Sequence, residues 1–79
     1  MKKYTAKIIV EPFNNMVNFY ESDSEEMVRD LITPIQKSAE NKVMRLTTFD
    51  TSGHRIDRYY VKNVAFTFVI EVITRADAL

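Results

Sequence analysis

Val64-Ala65-Phe66-Thr67-Phe68-Val69-Ile70-Glu71-Val72-Ile73-Thr74 is the most apolar of the candidate strands in this chain. Val64, Phe66, Phe68, Ile70 and Val72 recur at every second position, the period of an extended strand. The alternate set, Ala65, Thr67, Val69, Glu71 and Ile73, is mixed. A strand that is apolar on one side and half apolar on the other belongs in the middle of a sheet, so the rest of the chain must supply its neighbours and a cover.

The neighbours lie on both sides of a single helical segment. Residues 3–11 alternate, with Tyr4, Ala6, Ile8 and Val10 on one side and Lys3, Thr5, Lys7 and Glu11 on the other. Ile9 breaks the polar side. Pro12 and Asn14-Asn15 mark a turn. Met16–Glu21 reads as the returning strand, with Val17 and Phe19 on the core side and Met16, Asn18 and Tyr20 opposite. Ser22 with Glu25, or Asp23 with Glu26, has capping-box spacing. Met27, Val28, Leu31, Ile32, Ile35 and Ala39 then form one helical stripe. The stripe keeps its phase across Pro34, which predicts a kinked but continuous helix to about Glu40. Residues 42–50 and 54–62 read as two further strands around the turn Asp50-Thr51-Ser52-Gly53.

The order is therefore ββαβββ: an α+β two-layer sandwich with a mainly antiparallel five-stranded sheet and one helix on one face. It is also compatible with a β-grasp arrangement, with the first and last strands parallel at the centre. The expected core is Ile8, Val10, Val17, Phe19, Val28, Leu31, Ile32, Ile35, Leu46, Phe66, Phe68 and Ile70. Seventy-nine residues make one domain, 1–79, with 75–79 read as a frayed tail.

Composition removes many activities. With no Cys there is no disulfide, thiolate nucleophile or Cys-based zinc site, and one Gly cannot build a phosphate cradle. Ser52, His54, Asp50 and Asp57 lie close in sequence, but they read as polar turn residues rather than a catalytic or metal set. No catalytic residue, metal or cofactor is assigned. Lys2-Lys3 is followed by no apolar signal segment, and no apolar run approaches a membrane span. A cytoplasmic location is expected, with no membrane partner and no small-molecule substrate.

Two interaction readings remain. One helix leaves a sheet face uncovered, and Ile9, Met16, Tyr20, Val69 and Ile73 are the candidate protein interface on it. This predicts a homodimer, a protein partner or both, in a small non-enzymatic regulatory protein. Its size and lack of a site constellation suit a phage or mobile-element accessory or inhibitor protein. The alternative comes from charge. Eleven basic and eleven acidic side chains balance, but residues 31–62 are net basic and 11–30 net acidic. Lys42, Arg45, Arg55, Arg58, Tyr59 and Lys62 are the candidate nucleic-acid patch, with phosphate contacts and base stacking as its means.

Overall fold

The computed structural model describes residues 2–11 and 15–76. Its elements are β1 (Tyr4–Val10), β2 (Asn15–Ser22), α1 (Glu25–Lys37), β3 (Lys42–Phe49), β4 (Arg55–Lys62) and β5 (Thr67–Thr74). The five strands form one sheet in the order β2-β1-β5-β4-β3, and every neighbouring pair is antiparallel. β5 is central, as its composition requires. α1 carries the chain from β2 at one edge to β3 at the other and packs on one face.

The parity of the topology fixes strand direction. β2 runs opposite to β1, and the helix returns the chain so that β3 starts at the same end as β2. Three strands follow the helix, so β5 runs with β3 and against β1. The β-grasp arrangement is thereby corrected: the first and last strands do meet at the centre, but antiparallel. A parallel central pair needs an even number of strands after the helix.

Ser24 caps α1, its Oγ accepting from the Glu26 N–H at 3.2 Å. Neither expected capping box forms. Ser22 Oγ accepts instead from the Ser24 N–H at 3.0 Å, and Asp23 turns back to accept from the Lys3 N–H at 3.0 Å. The helix runs unbroken through Pro34, which is exposed. It ends at Lys37 rather than near Glu40. Asn41 Nδ2 donates to the Ile35 carbonyl at 3.2 Å, and the Asn41 N–H bonds to the Ser38 carbonyl, closing the chain into a turn that leaves Ala39 exposed.

The buried core is Ala6, Ile32, Tyr59, Val61, Ile70 and Val72, with Ile8, Met27, Val28, Leu31, Ile35, Val43 and Phe68 packed against it. Five expected core residues are not part of it; the first, Val10, pairs with Phe68 on the helix face but is only partly buried. In β2 a bulge opposite Ile8/Ile9 leaves Val17 as the extra residue, and Phe19 pairs with Lys7 on the face away from the helix. An extra residue in a strand exchanges its faces on one side of the bulge. Leu46 pairs with Arg58 and shares that outer face, while Val43 does the packing in β3. Phe66 is only half covered, its ring stacked on Phe68 at 5.1 Å between centroids.

β5 begins at Thr67, not Val64. The Asn63 side chain accepts from the Ala65 N–H at 3.1 Å, and the Asn63 N–H bonds to the Phe66 carbonyl at 2.9 Å. This local turn takes 63–66 out of the ladder. At the other end, Arg75 and Ala76 are anchored rather than frayed. The Arg75 N–H donates to the Lys3 carbonyl and the Ala76 N–H to His54 Nδ1, each at 2.9 Å. Residues 77–79, and the turn expected at 12–14, lie outside the described residues.

The uncovered sheet face as candidate functional site

Paired residues in a sheet share a face, so the registers place every outer side chain. One row crosses all five strands as Met16, Ile9, Val69, Tyr60 and Met44, all of them apolar or aromatic. The next row reads Phe19, Lys7, Glu71, Arg58 and Leu46. A third brings Thr5 and Ile73 beside Ile56 and Thr48. At the opposite end Thr67, Lys62 and Lys42 follow one another. The outer face is therefore an apolar band with a charged strip along its middle and two lysines at one corner.

Exposure follows position in the band. Val69, at the centre, is only 6% exposed although no helix covers it, because Ile9 and Tyr60 flank it. The ends stand open: Met16 is 56%, Phe19 48%, Met44 65% and Leu46 49% exposed. Ile9, Glu11, Arg58, Tyr60, Val69 and Glu71 line a shallow depression of about 230 Å³. In the strip, Arg58 Nε donates to Glu71 Oε2 at 3.1 Å, in a half-buried pair. Lys7 stands across from Glu71 in register, and among the described residues it has no ion pair.

Of the five expected interface residues, Ile9, Met16, Val69 and Ile73 share this face. Tyr20 does not. It pairs with Ala6 on the helix face, and the bulge at Val17 is the reason. Phe19 takes its place, and Tyr60, Met44 and Leu46 extend the band. In β4 the tyrosine on this face is Tyr60 and not Tyr59, which pairs with Ile70 and is buried under the helix. Nothing in the sequence announces the bulge.

The register also divides the basic patch. Lys42, Arg58 and Lys62 are on the outer face, with Lys42 directly opposite Lys62. Arg45, Arg55 and Tyr59 share the helix face, where Tyr59 is buried. Two of the cations are engaged: Arg58 with Glu71, and Arg55 Nε with Asp57 Oδ2 at 3.0 Å. These six side chains do not form one surface.

The polar cluster at the β3–β4 turn is occupied structurally. Asp50 Oδ1 accepts from the Ser52 and His54 N–H groups at 2.9 and 3.0 Å, and Gly53 supplies the positive φ of 82° that closes the turn. Asp57 is buried on the helix face and bound by the Thr47 hydroxyl and Arg55. Among the described residues no three His, Asp or Glu side chains are placed to hold a metal ion, and no helix is long and apolar enough to cross a membrane. No protein-family model, no curated protein and no solved structure matches this chain.

Proposed function

We propose that this is a small non-enzymatic interaction protein that binds protein through its uncovered sheet face, acting as a regulatory, accessory or inhibitory subunit. The observation that carries this reading is the unbroken apolar row Met16–Ile9–Val69–Tyr60–Met44 across the full width of the sheet. Five strands about 4.8 Å apart and about 25 Å long present roughly 600 Å² in projection. With side-chain relief, that approaches the ~800 Å² per partner of a standard interface. An apolar row bordered by charged and polar residues is the usual anatomy of a protein-interaction site. The fitting partner offers apolar side chains along the band and a carboxylate for Lys7. Phage and mobile-element inhibitors are a natural setting for so small a chain.

The test is co-purification with wild-type and Phe19→Lys baits, since Phe19 is half exposed and its replacement spares the core. A protein held by the wild type and lost with Phe19→Lys supports the reading. Nucleic-acid binding that weakens steeply with salt and survives Phe19→Lys refutes it in favour of the basic residues, because counterion release gives phosphate contacts that slope.

A further inference from the structure

The two edges of the sheet are not alike. β2 is interrupted by the bulge at Val17, and a bulge is one of the devices that stop a sheet edge from pairing further. β3 pairs with β4 over eight residues without a break, has no Pro, and leaves its other edge of N–H and C=O groups unpaired in the strand order. It also carries three of the large apolar side chains most open to water, Met44, Leu46 and Phe49. A long, regular, apolar edge is a template for one more strand.

We infer that a second copy of this chain is that strand's source: two copies join by antiparallel pairing of β3 with β3 about a two-fold axis at Leu46. An axis perpendicular to the sheet must bring one residue against its own copy and keep each face continuous. Centred on Leu46, this register pairs residues 43–49 with the same residues of the copy, all of β3 but its first residue, and sets Lys42 beside Asp50, the residue just after the strand ends. Leu46 then meets the partner's Leu46, Val43 meets the partner's Phe49, and Met44 meets the partner's Thr48. Arg45 falls opposite the partner's Thr47, and Lys42 opposite the partner's Asp50, a pair of opposite charge. Centring one residue earlier sets Arg45 against the partner's Arg45, and like charges directly opposite are destabilising. Centring one residue later puts Met44 against the partner's Asp50 and loses the Lys42 pairing. The product is a ten-stranded sheet with both helices on one side and both apolar bands on the other.

The proposal does not rest on the open-face reading: a monomeric chain removes it and leaves the face available to another protein. The native chain has no Cys, so single cysteines report the register directly. In this dimer the Cβ atoms of Leu46 and the partner's Leu46 lie about 5 Å apart, near disulfide reach, whereas two copies of Met44 are offset by about 14 Å along the strand. Sedimentation of the wild type at micromolar concentration should give about twice 9.3 kDa. Mild oxidation should cross-link Leu46→Cys at least tenfold faster than Met44→Cys. Phe19→Lys should leave the dimer whole, and Leu46→Lys should split it while keeping the far-ultraviolet circular dichroism of the wild type. A wild-type monomer, equal cross-linking at 44 and 46, or a dimer split by Phe19→Lys would each overturn the β3 pairing.

Discussion

Replacing Ile70 with Ala should cost this protein about 4 kcal/mol, a large share of its stability. Ile70 is fully buried on the central strand, opposite Ile8 on β1 and Tyr59 on β4. The change removes three carbon groups, worth about 2.4 kcal/mol at about 0.8 kcal/mol each. Strands on both sides hold the backbone, so the site cannot close fully. A residual cavity on the order of 70 Å³ adds about 1.7 kcal/mol. A domain of this length has roughly 4–12 kcal/mol to lose. Equilibrium unfolding in urea at 25 °C measures the difference, with an unchanged m-value as the check on two-state behaviour. If Ile70→Ala is unfolded outright, Ile70→Val should still fold and show a loss of about 1 kcal/mol. Met16→Ala is the control. Met16 is a large apolar side chain on the outer face at the β2 edge and is 56% exposed, so its loss should stay near about 1 kcal/mol. An Ile70→Ala cost below about 1.5 kcal/mol, or no greater than that of Met16→Ala, would refute the assignment of the helix side as the core.

Three further outcomes follow from single groups. Pro34→Ala should raise the melting temperature, because alanine restores a hydrogen bond to the Asp30 carbonyl inside a continuous helix and is up to about 3 kcal/mol better there; a fall would mean the proline starts a separate segment. Asp57→Ala should cost about 2 kcal/mol by chemical denaturation, since the buried carboxylate accepts from both Thr47 and Arg55. The Lys3 backbone N–H, with Lys2 nearby, holds the Asp23 carboxyl below the usual carboxylate range. A lowered folded-state pKa gives stability that is present above the unfolded value of about 3.9 and lost as pH falls through the folded one. The stability gap between wild type and Asp23→Asn, followed from pH 6 downward, should therefore close below about pH 4 and not before.

The element order and the central strand were legible because periodicity is a local property. Tyr4, Ala6, Ile8 and Val10 alternate whatever they pack against, and Met27 through Ile35 make a helical stripe whether or not Pro34 intervenes. Ile9, Val69 and Ile73 could be put on one face by counting from Ile8 and Ile70. Pairing is not local. The bulge at Val17 arises where β2 meets Ile8 and Ile9, so Phe19 and Tyr20 exchange faces with no mark in their own sequence. In β3, Val43 and Leu46 are both apolar and sit on opposite faces, and only the register with Val61 and Arg58 says which is inside. The start of β5 failed for a third reason. Asn63 captures Ala65 with its side chain, a local bond that outweighs the alternating pattern of Val64 and Phe66.

The same bulge that hid the faces of β2 limits what the sheet can become. A flat apolar edge pairs indefinitely, and a chain with two such edges grows into a fibre. Here β3 is regular and β2 is not. Pairing β3 with its own copy consumes the one regular edge on each chain, and the outer edges of the resulting sheet are both β2. Each β2 offers a ladder broken at Val17, where one residue has no partner and the local twist increases. The symmetry is closed, and the exposed ends no longer match the surface that was buried. An assembly built this way stops at two and keeps its apolar bands side by side on one surface, so a partner would meet two copies of the row that begins at Met16 and ends at Met44.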